Sequence, residues 1–312
     1  MSAALHICVL CATHRGRRFL ERLMNLLPDA TYTVFSFREE SWEPPYLEDL
    51  RRLATGRGAR FFEARDVGQV DLATVWDAAP VDFLFAVSWR YLVPASVFSR
   101  SRRGAYVFHD SLLPAYRGFS PTVWAVANDE TRTGVTLLTM ADGVDAGQMV
   151  DQCAVPIGRD EFINSVMERV TDAYLELLEK NLPALLGNTA RMQPQNDSLA
   201  TYCCKRLPED NRIDWHWPAR RVFNLIRATA KPYPGAFCFL NEHRLRIWSA
   251  TLIEPAKNYI GIVPGRVVER VPGKGALVLA SDGPVFLGDV QLDDGNVVTA
   301  DTVLKRISLK LT

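Results

Sequence analysis

The segment His109-Asp110-Ser111-Leu112-Leu113-Pro114-Ala115-Tyr116-Arg117-Gly118 places an imidazole at the end of the apolar run GAYVFHDS (104–111). Further along, Asp142-Gly143-Val144-Asp145-Ala146-Gly147 places two carboxylates on a glycine-flanked loop. A histidine at a strand end can act as a general base near neutral pH. A carboxylate beside it would fix its tautomer and stabilise the imidazolium. Both residue types also have plain structural uses, the histidine as a packed polar group and the aspartate as a turn former, and spacing alone leaves both readings open. Cys8 and Cys11 form a Cys-x-x-Cys pattern that can serve redox or zinc chemistry. Both fall inside LHICVLC, which reads as a buried first strand, and no second ligand pair follows at zinc spacing. Reduced structural thiols and no metal site are therefore expected.

The elements that must position these groups alternate. LHICVLC (5–11) is an apolar, β-branched run followed by the amphipathic RGRRFLERLMNLL; YTVFSF (32–37) reads as a second strand, LEDLRRLATGRG as a helix closing on glycine, ARFFEA as a short strand, and VDFLFAVS (81–88) and GAYVFHDS (104–111) as further strands. Strands separated by helices predict an α/β fold: a Rossmann-like, mostly parallel sheet with helices on both faces. Such sheets hold ligands at the carboxyl ends of their strands. No G-x-G-x-x-G follows the first strand and no Walker sequence occurs, so nucleotide hydrolysis and nicotinamide chemistry lose their main support. TGVTLLTM (133–140) and QMVDQCAV (148–155) read as a strand pair around the Asp-Gly loop, and a long helix covers about 161–185. The polar stretch 187–204 reads as a linker. Beyond it, ARRVFNLIRATA (219–230) is an amphipathic helix, and the runs FCFL, LRIWSATL, GRVVERV, GALVLAS and PVFLGDV, separated by turn signals, predict a small OB-like β-barrel. The expected organisation is a catalytic domain over 1–186, the linker over 187–204 and a small domain over 205–312.

The chain of 312 residues carries 36 basic and 36 acidic residues. That balance gives no global reason to expect nucleic acid or bilayer as a partner. No run of about 18 apolar residues occurs, so no membrane span is expected. The first 20 residues carry Arg15, Arg17 and Arg18 after an apolar stretch, the reverse of a secretory signal. A cytoplasmic protein is the expectation. The charge is uneven: residues from Lys205 onward hold 16 basic and 11 acidic residues, and the preceding 204 hold 20 and 25. The mildly basic small domain could face an anionic group or simply be a solvated surface.

The series H-D-S-L-L-P-A-Y-R-G, then T-G-V-T, then D-G-V-D-A-G resembles, in order and spacing, the formyltransferase family that uses 10-formyltetrahydrofolate. Glu209 to Trp215, Asn224 to Ala228 and Pro232 to Phe237 resemble that family's C-terminal β-barrel domain, so the likeness covers nearly the whole chain. The resemblance implies that an acceptor amine attacks the formyl carbon, a tetrahedral oxyanion forms and tetrahydrofolate leaves. It implies His109 and Asp145 as the catalytic pair. It implies folate contacts from Tyr91, Leu92 and Val93, from Ser111, Leu112, Leu113 and Pro114 as a pocket floor, and from Ala141, Asp142, Gly143 and Val144.

Two positions depart from the family. Its motif is N-x-H, and Val107 stands where the Asn belongs. Residues two apart on a strand share a face, so that Asn and the His reach one formyl oxygen, whereas Tyr106 and Phe108 face away. Losing one oxyanion donor typically costs roughly 10²–10³-fold in rate. Protonated His109, a backbone N–H or a substrate group could replace it, the enzyme could be slow, or the chain could bind folate without transfer. Phe119 stands where the lipid-A-type aminosugar branch carries Arg. The family divides by acceptor. A tRNA needs clustered Lys and Arg, and the first domain is net acidic and has no lysine-rich loop, so a small-molecule amine, anionic and nucleotide-linked, is the expected substrate. A diphosphate needs few cations, and Arg117, Arg220, Arg221 and Arg227 are candidates, although the last three also fit a solvated helix face. An amino-acid or natural-product amine and methionyl-tRNA are the alternatives, and a homodimer stays open.

Overall fold

The computed structural model describes residues 4–68, 80–255 and 257–312. In chain order the elements are β1 (His6–Cys11), α1 (Thr13–Leu26), β2 (Thr31–Ser36), α2 (Leu47–Gly56), β3 (Arg60–Glu63), β4 (Phe83–Val87), α3 (Ala95–Phe98), β5 (Gly104–His109), β6 (Arg117–Gly118), α4 (Pro121–Ala127), β7 (Arg132–Thr139), β8 (Met149–Pro156), α5 (Ile163–Leu186), β9 (Tyr202–Cys203), α6 (Ala219–Thr229), β10 (Ala236–Leu240), β11 (His243–Ile247), β12 (Ala250–Leu252), β13 (Val267–Val271), β14 (Gly275–Leu279), β15 (Pro284–Leu287), β16 (Asp289–Leu292), β17 (Val297–Thr299) and α7 (Ala300–Val303). The chain divides into two compact units. One comprises Met1–Pro121, Thr133–Val155 and Glu168–Cys204, the other Thr122–Arg132, Pro156–Met167 and Lys205–Thr312.

The first unit is built on a sheet with strand order β3-β2-β1-β4-β5-β7-β8. Strands β1 to β5 run parallel, and β7 joins β5 antiparallel. The order reverses between β1 and β4, the switch point outside which doubly wound sheets open a ligand crevice. Every residue of β1 is buried, which is why that segment is a continuous apolar run rather than an alternating one. Along β5 the alternation is plain. Phe108 packs on Phe19 of α1, on Phe85 and on Tyr174 of α5, and Tyr106 packs on Phe85. Ala105 and Val107 face the opposite core, with Cys8, Leu10, Phe35, Leu84 and Ala86. His109 continues the register of that second set.

Stretch 187–204 differs from the expected linker. Its strand β9 pairs in parallel with β6, Arg117 opposite Tyr202 and Gly118 opposite Cys203, and the stretch belongs to the first unit. Two segments from within 1–186, Thr122–Arg132 and Pro156–Met167, belong to the second unit instead. Burial along such segments depends on distant partners and leaves no local composition signal.

The second unit contains two antiparallel sheets, β10-β11-β16-β17 and β12-β15-β14-β13, around one apolar core that α6 enters with Val222, Phe223 and Ile226. The expected single runs LRIWSATL and PVFLGDV each break in two. They pass from one sheet to the other at Trp248-Ser249 and at Gly288, where the Gly288 N–H donates to the Ser249 carbonyl at 3.0 Å. A Cβ on Gly288 would lie 2.5 Å from the Ser249 hydroxyl, so a larger residue at this corner would displace that hydroxyl. Arg227, expected as a substrate contact, is wholly buried here. Its guanidinium donates to the Glu161 carbonyl at 2.9 Å, the Gly158 and Val126 carbonyls at 3.2 Å, the Asn224 side chain at 2.8 Å and Asp129 at 3.2 Å. It ties α6 to segments 122–132 and 156–167 and has no face left for a ligand. Arg227→Met keeps the apolar stem but orphans these acceptors. A loss of about 1–3 kcal/mol per carbonyl stripped of its donor is expected, read as a lowered urea midpoint.

Candidate active site

His109 is the last residue of β5 and is 7 % exposed. The next residue anchors it. Asp110 takes two hydrogen bonds from Arg15 Nη1, at 2.6 and 2.7 Å, from the first turn of α1. The Tyr174 hydroxyl of α5 reaches both the Phe108 carbonyl, at 2.9 Å, and the Asp110 carboxylate. Arg15 also stacks on the Tyr174 ring, 4.7 Å from its centroid. Burial, reinforced by the neighbouring Asp110 charge, pushes the Tyr174 pKa far up, so the phenol stays a neutral donor. The end of β5 is thereby fastened to two helices on the face opposite His109.

The chain leaving β5 is held from the neighbouring strand. Thr136 lies opposite His109 in register. Its hydroxyl donates to the Ser111 carbonyl at 2.6 Å and accepts from the Leu113 N–H at 3.1 Å. Gln152 of β8 donates to the Leu113 carbonyl at 2.9 Å and to Thr136 Oγ1 at 2.8 Å. Thr133 donates to the Asp110 carbonyl, and a Cβ on Gly134 would lie 2.5 Å from the Leu112 side chain. The T-G-V-T motif is therefore the bracket for the loop that follows the histidine: two hydroxyls to hold carbonyls, a glycine for close approach and a core valine between them.

Asp145 meets this loop. Its Oδ2 lies 3.5 Å from His109 Nδ1 and accepts the Gly118 N–H at 2.8 Å. The other imidazole nitrogen, Nε2, lies 2.9 Å from the Tyr116 carbonyl. A carbonyl only accepts, so Nε2 carries a hydrogen; Nδ1 is then the atom at which a proton can be held or exchanged with Asp145. The aspartate is itself constrained. It has φ +49°, a left-handed backbone uncommon for any residue with a side chain. Gln195 holds that conformation by donating to the Asp145 carbonyl at 2.7 Å and the Gly147 carbonyl at 2.8 Å. A Cβ on Gly147 would lie 1.7 Å from the Thr139 carbonyl, so only glycine closes the loop.

Arg117, expected as a substrate contact, is 3 % exposed and fully engaged. It donates to Gln195 Oε1 at 2.7 and 3.1 Å, to Asp197 at 2.7 Å and to the Tyr202 hydroxyl at 3.3 Å. By taking the amide oxygen of Gln195 it turns the NH2 toward Asp145, which makes Arg117 a positioning residue. Arg220 bonds Asp160 and the Arg159 carbonyl, both at 3.0 Å, and the exposed Arg221 lies over Trp217. Ser111 and Leu113 are buried, and the Ser111 hydroxyl is spent on the Ala115 carbonyl at 2.7 Å. Leu112 and Pro114 are half-buried, as are Tyr91 and Val93, while Leu92 and Ala141 to Val144 are exposed. Cys8 and Cys11 are unbridged and buried, with thiol pKa values driven up by desolvation. Among the described residues no group of three His, Cys, Asp or Glu side chains could hold a metal, and no helix is long and apolar enough to cross a membrane.

Residues that sequence reasoning missed are Arg15, Asp110, Tyr174, Gln152 and Gln195. Asp110 stands in a quoted motif, as do Thr136 and Gly134, but its anchoring role had no local signal. Gln195 lies 50 residues from Asp145 in a polar stretch that reads as a linker.

A formyl transferase model matches residues 27–182, and a formyl transferase C-terminal domain model matches residues 206–308. The chain belongs to the formyltransferase family. Among solved structures, an N-formyltransferase from Helicobacter canadensis, in complex with folinic acid and dTDP-3-aminofucose, is 18% identical with a TM-score of 0.67, covering 91% of this chain and 98% of that one. WlaRD, a sugar 3N-formyltransferase solved with dTDP and 5-N-formyl-THF, is 16% identical with a TM-score of 0.64, covering 92% of this chain and 98% of that one. HypX from Aquifex aeolicus, in complex with tetrahydrofolic acid, is 18% identical with a TM-score of 0.64; the match covers 97% of this chain but only 47% of HypX. At these identities the likeness is one of fold. Within this family member, Arg15→Ala would leave Asp110 without its cation beside the histidine. A destabilisation of about 3–5 kcal/mol is expected, measured by denaturant unfolding, and a change within 1 kcal/mol would show that the pair is not a structural anchor.

Proposed function

We propose that this chain is an N-formyltransferase that moves a formyl group from 10-formyltetrahydrofolate to the primary amine of a nucleotide-linked aminosugar. The observation that carries the reading is the approach of His109 Nδ1 to Asp145 Oδ2 at 3.5 Å, across 36 residues of chain and at the rim of a sheet in a formyltransferase-family protein. The folate would lie against Tyr91 to Val93 and Ala141 to Val144. Leu92 and Val144 are exposed apolar groups there that suit the flat face of a pterin, and the buried Ser88 Oγ and Trp89 Nε1 at the end of β4 lack protein partners, as donors aimed at a ligand would. When bound, the folate supplies an activated formyl carbon on nitrogen.

The chain's own residues handle orientation and protons. Asp145, held at Oδ2 by the Gly118 N–H, accepts a proton from the entering amine and shares it with His109 Nδ1. His109 keeps its ring plane through the Nε2–H bond to the Tyr116 carbonyl. The balance is one C–N bond made to the amine, one C–N bond broken to the folate, and one proton passed from the first nitrogen to the second. The acceptor class is supported by the net acidic first 204 residues, which suit a small ligand better than a polyanion such as methionyl-tRNA. It is supported too by the dTDP-3-aminofucose named with the Helicobacter canadensis structure.

The test is release of tetrahydrofolate from the donor across a panel of nucleotide-linked aminosugars, amino acids and methionyl-tRNA. Release that depends on an aminosugar is expected. Folate binding with no amine-dependent release, or formate release without amine, would overturn the reading. His109→Ala and Asp145→Asn should each lower kcat by roughly 10²–10⁴-fold while the folate dissociation constant holds.

A further inference from the structure

We propose that the hydroxyl of Ser88 donates to the formyl oxygen, in the role for which the family uses the asparagine that Val107 replaces. The inference rests on the function proposed above. Val107 is half-buried against the apolar cluster of Leu84, Ala86 and Val97, which also receives Trp89, Val93 and Met140. It offers no hydrogen bond, although it shares a strand face with His109.

The nearest backbone to that face on the other side is β4. The parallel register pairs Ala86 with Val107 and Val87 with Phe108, so Ser88, the first residue past β4, leaves the sheet at the level of His109 on the adjacent strand. On its far side the Ala12 N–H bonds the Val87 carbonyl at 3.3 Å. Ser88 therefore stands at the carboxyl rim between β1 and β5, where the strand order reverses.

Two features mark it. Its backbone has φ +54°, a conformation that for a serine persists only where the surroundings impose it. Its Oγ is buried and has no hydrogen-bond partner in the protein, whereas buried hydroxyls nearly always have one. Such a group, already desolvated and free of competing bonds, is what preorganised stabilisation of a developing oxyanion needs. The neighbouring Trp89 Nε1 is also unpartnered. Its ring, however, is stacked edge-on against Phe37 at 5.2 Å and Tyr91 at 6.0 Å, and it lies one residue beyond the position in register with His109.

The experiment combines rate with a spectroscopic readout. A bound, transfer-inert 10-formylfolate analogue carrying a ¹³C label in its N10-formyl group reports that carbonyl stretch by infrared difference, and kcat and KM are measured with the best acceptor. Ser88→Ala and Ser88→Gly should each lower kcat by roughly 10²–10³-fold with little change in KM, and should raise the carbonyl frequency. The glycine variant relieves the left-handed backbone, so its equal loss assigns the effect to the hydroxyl. Adding Val107→Asn to Ser88→Ala should recover rate and lower the frequency again. Unchanged kcat and frequency in both serine variants would overturn the proposal, and so would a loss confined to Trp89→Phe. If the wild type shows no amine-dependent turnover at all, the functional reading fails by itself, while the frequency shift still decides whether Ser88 reaches the formyl oxygen.

Discussion

The imidazole of His109 is met at both nitrogens by acceptors, the Tyr116 carbonyl at 2.9 Å and the Asp145 carboxylate at 3.5 Å. Several constraints in the first unit converge on that arrangement. The Tyr116 carbonyl points correctly because Tyr116 is left-handed and Gly118, at φ +104°, passes so close to Cys203 that a Cβ would lie 2.6 Å from its carbonyl. The Asp145 carboxylate points correctly because Gly118 donates to it. Gln195, itself set by Arg117, holds the carbonyl of Asp145. The histidine is thus located by the loops around it as much as by its own strand.

These loops store strain. Thr13, Ser88, Tyr116 and Asp145 all have positive φ without being glycine, at a cost of order 1–3 kcal/mol each. They belong to the ends of β1 and β4 and to the two loops that meet at the histidine. What offsets them is visible in the same region: the Arg15–Asp110–Tyr174 anchor, the Thr136 and Gln152 bracket, and the Arg117–Gln195 pair. Strain concentrated beside a dense polar network is the pattern of a site held in a geometry that local preference would not choose.

The arginines show how the same residue type divides between tasks. Arg15, Arg117 and Arg227 are all nearly inaccessible, and each serves backbone carbonyls, an amide or a carboxylate within its own unit. The planar guanidinium, with five donors, can satisfy several acceptors at once, which is why it rather than lysine fills these positions. The α1 and α5 surface instead uses exposed pairs, such as Arg22 with Glu179 and Arg18 with Asp172, whose contribution is small; the shallow groove lined by Arg18, Arg22 and Glu179 lies there, away from His109.

Local sequence determined the long strands and helices of the first unit, though not the short α3, β6 and β9, because burial on both faces writes continuous apolar runs and burial on one face writes a periodicity. It also determined that His109 ends a strand, that Tyr106 and Phe108 turn from it, and, through the ordered motifs, the family. Tertiary structure alone decided the remainder. Stretch 187–204 reads as a linker because its hydrogen bonds run to residues some 50 to 85 positions earlier, and no periodicity records partners so distant. The runs LRIWSATL and PVFLGDV read as single strands because a change of sheet at a corner alters the pairing but not the alternation. Arg117 and Arg227 read as ligand contacts because a guanidinium looks the same in sequence whether it meets a phosphate or buried carbonyls. Only the packing around it, made by segments brought together from across the chain, decides which.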